Sequence, residues 1–341
     1  MRVPVPPLPL RRVANPLWLP GAVVLTVLLL PLVAVGALFA LRPGPHRLLR
    51  LSAMALVYLW VDVCLMVTCW WLWLRDPSPR RDATRWHRQH GAVLQHALSV
   101  LMDAARVLLG FHVEVDDAVS PGPTGRPMVV LARHAGPGDS FTIVHLLLQR
   151  YARRPKVVLK GALQLDPGLD ILLNRLDCYF LPSTSGAGDD RAAAVRELTL
   201  SLTPEEALLI FPEGGNWTPR RYRRAVRRLF QRGHVRRAQQ AAAHPHVLPP
   251  RPGGALACLT ARTDTDVAVV AHTGLDTLVN PAQMWEAVPV DRQPMRVHWW
   301  TEPAAEIPRD PDLALAWLDQ KWARVDEWVA GSADQLLPPS A

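Results

Sequence analysis

The sequence predicts an α/β protein with a mixed, largely parallel sheet covered by helices, preceded by an N-terminal helical hairpin that spans or re-enters a membrane. Two observations support this fold class. Hydrophobic residues make up 49% of the 341 residues, and the apolar excess lies before Arg75. After that point, short β-rich runs alternate with helical patterns, which is typical of a sheet with helices packed on its faces.

The N-terminal region contains two long apolar runs. Residues 13–41 carry no charge, and residues 51–74 carry only Asp62. Each run exceeds the roughly 20 residues that a helix needs to cross a bilayer. We therefore predict a basic N-terminal segment over residues 1–12 and a two-helix membrane anchor over residues 13–75. A cleaved signal peptide is the alternative for the first run, but its length and the second run close behind argue against it.

Charged residues in and around the anchor suggest its orientation. An unpaired Asp62 at a bilayer centre would cost about 2.5–3.5 kcal/mol. We therefore expect a polar contact within the hairpin or with a partner, or a position near an interface or facing another helix. Arginines flank both ends of the anchor, although its short connection also holds Arg42, Arg47 and Arg50. The bias favours a hairpin with both ends on the cytoplasmic side of a cytoplasmic membrane, so that the body faces the cytoplasm. No cysteine lies in a CxxC pair, which also favours a reduced compartment.

The body after the anchor divides into three segments. We predict an amphipathic helix at the membrane surface over residues 83–110, an α/β domain over residues 111–331 and a disordered tail over residues 332–341. The predicted strands are 111–115, 127–132, 156–159, 178–181, 206–211, 246–248, 266–271 and 295–300. The predicted helices between them lie near 140–151, 190–201, 218–231, 234–243 and 253–261.

The candidate catalytic pair, His134 and Asp139, follows the apolar strand that ends at Ala132. A turn rich in glycine and proline separates this strand from the next helix, so His134 lies at a carboxyl end of the sheet. A carboxylate that turns back onto one imidazole nitrogen fixes the tautomer and leaves the other nitrogen free as a base. Such a pair can deprotonate an alcohol that attacks a thioester.

Two observations keep a structural interpretation open. Asp139 is also a good N-cap for the helix that follows it. The same spacing occurs in His112 and Asp117, where no convincing helix start follows. Spacing alone therefore does not identify the catalytic pair.

A second acidic turn strengthens the catalytic interpretation. Glu213 follows the strand at 206–211 and is followed by Gly214 and Gly215. Lys160, Arg251 and His272 lie near the ends of other predicted strands. Open α/β sheets bind ligands at the carboxyl ends of their strands, so we expect these residues at one edge.

The two turns resemble a known family. His134 to Asp139 and the run Phe211-Pro212-Glu213-Gly214 are similar to the first and third signature blocks of the glycerolipid acyltransferase superfamily, typified by lysophosphatidic acid acyltransferase. The run Val247-Leu248-Pro249-Pro250 resembles the fourth block. The resemblance covers roughly residues 85 to 275.

The resemblance implies membrane-bound transfer of a fatty acyl group to a lysophospholipid hydroxyl, with 1-acylglycerol-3-phosphate as the expected acceptor and phosphatidic acid as the product. His134 would be the general base and Asp139 its orienting partner. The donor would be acyl-CoA or acyl-carrier protein, with no cofactor and no metal. The implied partners are membrane lipids and these substrates. The candidate substrate-binding residues are Lys160, Phe211, Pro212, Glu213, Gly214, Gly215 and Arg251.

Two departures from the family pattern concern the acceptor. The arginine that often ends the second block is missing after Leu181, and Arg175 or Lys160 are candidates to replace it. Thr or Ser followed by Arg often continues the Glu-Gly turn, whereas here Gly215-Asn216-Trp217 follows. A different lysophospholipid or glycolipid acceptor therefore stays open, as does a catalytically idle lipid-binding membrane protein. Backbone N–H groups near Gly136–Gly138 are candidates for oxyanion stabilisation.

The net charge of +8 suits anionic lipid, a phosphorylated substrate or nucleic acid. An arginine-rich helix after Thr218 is the main basic feature of the body. It either contacts head groups or donor phosphates, or presents a solvated face. We expect no nucleic-acid partner, because aromatic stacking platforms and a recognised binding module are missing.

Overall fold

The computed structural model describes residues 5–76, 82–116, 124–136, 138–181, 188–276, 278 and 280–334. In these ranges the helices are α1 Leu8–Ala14, α2 Trp18–Phe39, α3 Arg47–Arg75, α4 Ala83–Ala104, α5 Asp139–Gln149, α6 Pro167–Arg175, α7 Gly188–Leu200, α8 Pro219–Gln231, α9 Val235–Ala243, α10 Pro252–Leu259, α11 Pro281–Ala287 and α12 Pro311–Asp334. The strands are β1 Val113–Val115, β2 Met128–Ala132, β3 Arg154–Lys160, β4 Tyr179–Leu181, β5 Glu206–Ile210, β6 Asp266–His272 and β7 Met295–Glu302.

The strands form a seven-stranded sheet in the order β1-β7-β6-β2-β5-β3-β4. The pairs β1–β7, β6–β2, β2–β5 and β5–β3 are parallel, and β6–β7 is antiparallel. Every residue of β2 and β6 is buried, which explains their continuous apolar runs. The predicted mixed, largely parallel sheet is confirmed.

The chain divides into two compact units. The first unit contains residues 1–111, 159–185 and 285–292, and the second contains residues 112–158, 186–284 and 293–341. The first unit holds the apolar helices, and the second holds most of the sheet.

The first unit contains three helical stretches that are long and apolar enough to cross a membrane, namely Leu8–Phe39, Arg47–Arg75 and Ala83–Leu109. The hairpin of α2 and α3 is tightly closed, because a Cβ on Gly36 would lie 2.6 Å from the backbone nitrogen of Leu49. The third stretch was predicted as a surface helix, and its length and composition also allow a span. Its position at the membrane surface stays a prediction.

Asp62 faces another helix of the same unit. Its side chain is 3% exposed, and its Oδ1 accepts a hydrogen bond from the backbone N–H of Gly168 at 2.8 Å. Gly168 lies at the start of α6, where a Cβ would collide with this carboxylate. A peptide N–H at a helix start is a favourable partner for a carboxylate, so Asp62 joins α3 to α6.

The structure differs from the predicted elements at one strand, three helices and the start of the tail. Residues 246–248 do not form a strand, because this segment is held by side chains and backbone groups outside the sheet. The helices α6, α11 and α12 were not predicted. Residues 332–334 of the predicted disordered tail belong to α12, and residues 335–341 lie outside the described residues.

Candidate active site

His134 and Asp139 are joined by a hydrogen bond in the turn between β2 and α5. The distance from His134 Nδ1 to Asp139 Oδ2 is 2.7 Å. An ionised carboxylate only accepts hydrogen bonds, so Nδ1 carries the proton and Nε2 presents a lone pair. Among the described residues, Nε2 has no hydrogen-bond partner. The His134 side chain is 13% exposed, so this nitrogen is sheltered but accessible.

Asp139 is the first residue of α5, and Gly138 is the N-cap. Gly138 has φ +96°, a backbone conformation that glycine adopts without strain. Asp139 Oδ2 instead turns back and accepts the backbone N–H groups of Ala135 at 2.9 Å and Gly136 at 3.3 Å. The N-cap interpretation of Asp139 is therefore wrong.

The surroundings of Asp139 keep it ionised although it is fully buried. Burial raises its pKa, but other groups outweigh this effect. They are the hydrogen bond from His134, the electrostatic interactions with the His272 and His134 imidazoles, and the N–H of Gly136. The net result is a pKa below the usual value, so Asp139 holds His134 in one tautomer at neutral pH.

The N–H groups of Ala135 and Gly136 do not fit the predicted oxyanion role, whereas that of Gly138 stays a candidate. The N–H groups of Ala135 and Gly136 already donate to Asp139, and proline at position 137 has no N–H. The turn is also fixed from behind, since a Cβ on Gly136 would lie 2.3 Å from the carbonyl oxygen of Leu275. The structure thus assigns Ala135 and Gly136 to the support of Asp139.

His272, at the end of β6, is fully buried behind the pair. Its Nε2 lies 2.8 Å from the carbonyl oxygen of Arg133 and 3.8 Å from Asp139 Oδ2. A carbonyl oxygen only accepts, so Nε2 carries the proton. Among the described residues, its buried Nδ1 has no hydrogen-bond partner. Burial lowers the pKa of His272, so it is a neutral donor that holds the backbone next to His134.

Arg133 is buried beside His134 and binds the segment that was predicted as a strand. Its guanidinium donates to the carbonyl oxygens of His272 at 2.7 Å and His246 at 2.8 Å, and it forms an ion pair with Asp276. It is therefore a structural cation, and it also places a positive charge near Glu213.

Glu213 lies in the turn after β5 and is 1% exposed. Its Oε2 accepts the backbone N–H of His134 at 3.3 Å, and its Oε1 accepts the indole N–H of Trp322 at 3.2 Å. Trp322 belongs to α12, a helix that the sequence analysis missed. Burial raises the pKa of Glu213 to about 8, although the charge of Arg133 and the N–H groups of Trp322, His134 and Leu248 oppose the rise.

The residues on either side of Glu213 contact His134 and Arg251, so a positive charge lies beside this turn. The ring of Phe211 lies 4.6 Å from that of His134, between centroids, and the carbonyl oxygen of Pro212 accepts the N–H of Arg251 at 2.9 Å. Gly214 has φ +69°, and a Cβ there would lie 2.9 Å from the Arg251 guanidinium. This contact requires a glycine, because any side chain would displace the cation from the turn.

Arg221 and Arg228 add positive charge beside Arg251. A Cβ on Gly215 would lie 3.5 Å from an Arg221 nitrogen. Arg251 is exposed, and its pKa is lowered by desolvation first and then by the charges of Arg228 and Arg221. Three cations close to the Glu213 turn make this region suitable for an anion.

The remaining candidates lie in the first unit. Lys160 ends β3 there, and its predicted substrate contact stays a prediction. Arg175 is unsuitable as a replacement for the missing arginine of the second block. Its guanidinium donates to the carbonyl oxygen of Cys69 at 2.5 Å, lies 3.0 Å from His90 Nε2 and stacks over Trp86.

A family model bears on the class of this protein. Residues 112–251 match the family model described as Acyltransferase, and this segment includes both His134 and Glu213. The match supports acyltransferase activity and agrees with the kind of family that the two turns resemble.

A solved structure shares the fold. The 1-acyl-sn-glycerophosphate (LPA) acyltransferase PlsC from Thermotoga maritima is 14% identical, with a TM-score of 0.53 over 83% of this chain and 98% of that chain. No curated protein matches the chain in sequence.

Proposed function

We propose that this protein transfers a fatty acyl group from a thioester, acyl-CoA or acyl-carrier protein, to the free hydroxyl of a lysophospholipid. 1-Acylglycerol-3-phosphate is the leading acceptor and phosphatidic acid the product. The observation that carries the proposal is the 2.7 Å hydrogen bond from His134 to Asp139, which leaves Nε2 as a base. The acyltransferase match over this segment supports the reaction class.

In the proposed reaction, His134 Nε2 removes the proton of the acceptor hydroxyl as its oxygen attacks the thioester carbonyl carbon. The tetrahedral intermediate then collapses, the carbon–sulfur bond breaks, and the thiolate takes the proton back from Nε2. Asp139 keeps Nδ1 protonated and stabilises the imidazolium between the two proton transfers. General base catalysis of this kind contributes about 10²–10⁴-fold.

Arg251 is our candidate for the acceptor phosphate, with Arg221 beside it. The Arg251 guanidinium lies against the turn that follows Glu213, and Arg175 is engaged elsewhere. A guanidinium binds a phosphate through two parallel hydrogen bonds. Under this proposal, the cations that bind the head group lie on α8 and in the loop before α10. The family pattern instead has an arginine in the turn itself.

The changed turn also supports a second acceptor class. Gly215-Asn216-Trp217 replaces the usual continuation of the block. The N–H of Trp217 donates to the carbonyl oxygen of His134 at 2.7 Å, and its indole donates to that of Pro245 at 2.9 Å. Because this departure lies in the turn whose backbone contacts His134, it favours acceptors with a different head group, such as another lysophospholipid or a glycolipid.

The catalytic proposal is tested with His134→Ala and Asp139→Asn in membranes supplied with labelled acyl-CoA and lysophosphatidate. We expect each variant to lose at least about 100-fold in rate, because the base or its tautomer is lost. His112→Ala is a matched control, since His112 has the same spacing to an aspartate but lies before β1. Full activity in either dyad variant would disprove the mechanism.

The acceptor is identified in a separate experiment. The unmodified protein receives one labelled acyl-CoA and a panel of lysophospholipids and glycolipids, and products are read by lipid mass spectrometry. Highest kcat/KM for lysophosphatidate supports the leading acceptor. A preference for an acceptor without a terminal phosphate supports the second class, and binding of acyl-CoA without turnover on any acceptor indicates an idle lipid-binding protein.

A further inference from the structure

The helix α8 carries an unneutralised arginine face. Its arginines at positions 220, 221, 223, 224, 227 and 228 are all exposed, and the helix contains no acidic residue. Among the residues that the structure describes, none of the six forms an ion pair. Like charges three and four residues apart on a helix repel each other, and an anionic partner would offset this repulsion.

The arginines lie in one stripe. Positions 220, 223, 224, 227 and 228, followed by Gln231, recur at the three- and four-residue spacing of one helix face. The same six residues line a shallow concavity of about 740 Å³. The opposite face is packed, because the Tyr222 hydroxyl donates to the carbonyl oxygens of Ala241 and Ala242 at 3.1 Å. The arginine stripe therefore faces away from the body.

The stripe is too long for one small ligand. Thirteen helical residues extend over about 20 Å, whereas one phosphate engages one or two guanidinium groups. An array of phosphates on a surface matches this length. Phe230 is 46% exposed and Val235 is 49% exposed, so apolar side chains lie at the end of the stripe. Basic side chains next to exposed apolar ones are typical of helices that lie on lipid head groups.

Hydrogen bonds at the start of α8 also connect the stripe to the turn that holds His134, within the same unit. Thr218 caps α8 by accepting the N–H of Arg221 at 3.1 Å. The preceding residue, Trp217, donates its N–H to the carbonyl oxygen of His134 at 2.7 Å. A surface that binds the start of α8 therefore also constrains the position of His134.

We propose that the arginine stripe of α8 binds an anionic lipid surface and brings the His134 site to the plane of the head groups. The chain contains three helices that are apolar enough to cross a membrane, so a lipid surface is the polyanion that it meets. Each basic residue near an anionic bilayer favours contact by about fivefold, so three of them amount to about 100-fold. The stripe thus makes the position of the site depend on the lipid composition.

The test uses the full chain in nanodiscs and does not depend on turnover. Cys64 is the exposed cysteine, and Cys69, Cys178 and Cys258 are buried. In a Cys64→Ser background, Gln231→Cys carries a nitroxide at the end of the stripe. Its collision rate with a water-soluble nickel complex is measured in neutral phosphatidylcholine discs and in discs that also contain phosphatidylglycerol. We expect protection in the anionic discs, and we expect 1 M salt to remove it, because the Debye length falls to about 3 Å.

Two triple variants separate charge from shape. Replacing Arg223, Arg224 and Arg227 with glutamine preserves helix propensity and should weaken the association about 100-fold. Replacing the same three residues with lysine keeps the charge and should keep the protection. Arg221 and Arg228 stay unchanged, so the candidate head-group site is intact.

Additional conditions in the same assay distinguish a lipid surface from other anionic partners. Inorganic phosphate added to neutral discs should give no protection. Protection that appears only with an acidic carrier protein or with a polynucleotide would overturn the lipid proposal, as would equal exposure in both kinds of disc. Because the assay contains no substrate, a negative result here is independent of whether lysophospholipid acylation is correct.

Discussion

Glu213 is expected to make stability depend on pH, and Glu213→Gln should remove this dependence. Burial raises its pKa from an ordinary 4.5 to about 8. Between these values the unfolded chain has released the proton while the folded protein retains it. Stability therefore falls as the pH rises through this window, by about 1.4 kcal/mol per pH unit. The contribution of Glu213 to stability is highest below pH 4.5 and lowest above pH 8.

The size of the effect follows from the same window. From pH 5 to pH 8 the contribution of Glu213 changes by at most about 4 kcal/mol. Relaxation around the charged form reduces this value, so we expect about 2–4 kcal/mol, or roughly 5–12 °C in Tm. Glutamine stays neutral throughout. It also turns an amide donor towards either the Trp322 indole or the His134 N–H, which costs about 1–3 kcal/mol at every pH.

The assay is thermal unfolding of the detergent-solubilised full chain at pH 5, 6, 7 and 8. The difference in Tm between the unmodified protein and Glu213→Gln should shrink steadily as the pH rises. Glu114→Gln is the control, because Glu114 is exposed on β1, and its curve should parallel that of the unmodified protein. A Tm difference that is constant from pH 5 to pH 8 would refute the reasoning.

Three further predictions concern the neighbours of the dyad. His272→Asn should lower kcat at least about tenfold with little change in KM, whereas His272→Gln, whose amide reaches the Nε2 position, should restore most of it. Loss of activity in both would contradict the hydrogen bond to Arg133 as the cause. Gly136→Ala should inactivate the enzyme and cost about 1–3 kcal/mol, because its Cβ would collide with Leu275. Gly253→Ala, where a Cβ meets no other atom within 4 Å, is its control in the same activity and unfolding assays. Arg251→Gln should raise KM for a phosphate-bearing acceptor about 10–100-fold with kcat unchanged, and an unchanged KM in steady-state kinetics would remove Arg251 from the head-group site.

The sequence predicted the part of the site that depends on local order along the chain. An apolar strand followed by a glycine-rich turn placed His134 and Glu213 at carboxyl ends of strands. The parallel pairing of β2 with β5 then brings these ends side by side. The helix α12 was also readable in principle, because its buried residues Ala314, Leu318, Trp322, Val325 and Val329 recur at helical spacing.

What the sequence could not predict are contacts between distant segments. The indole of Trp322 reaches Glu213 from 109 residues away, and no local pattern encodes this distance. The segment at 246–248 looked like a strand because it is apolar and precedes proline. Its backbone is instead bound by Arg133 and by Asp326 of α12, and these side-chain contacts replace the ladder that a strand would have made.

The bond between Trp322 and Glu213 also bears on how the protein matures. Translation produces the apolar helices of the first unit before α12, so the Glu213 carboxyl is covered by Trp322 only after the strands of the sheet have been made. Until then Glu213 stays open to water and ionises at its ordinary pKa, and the turn beside His134 lacks one of its supports. Under the proposed function, a nascent chain reaches the membrane before its site is complete.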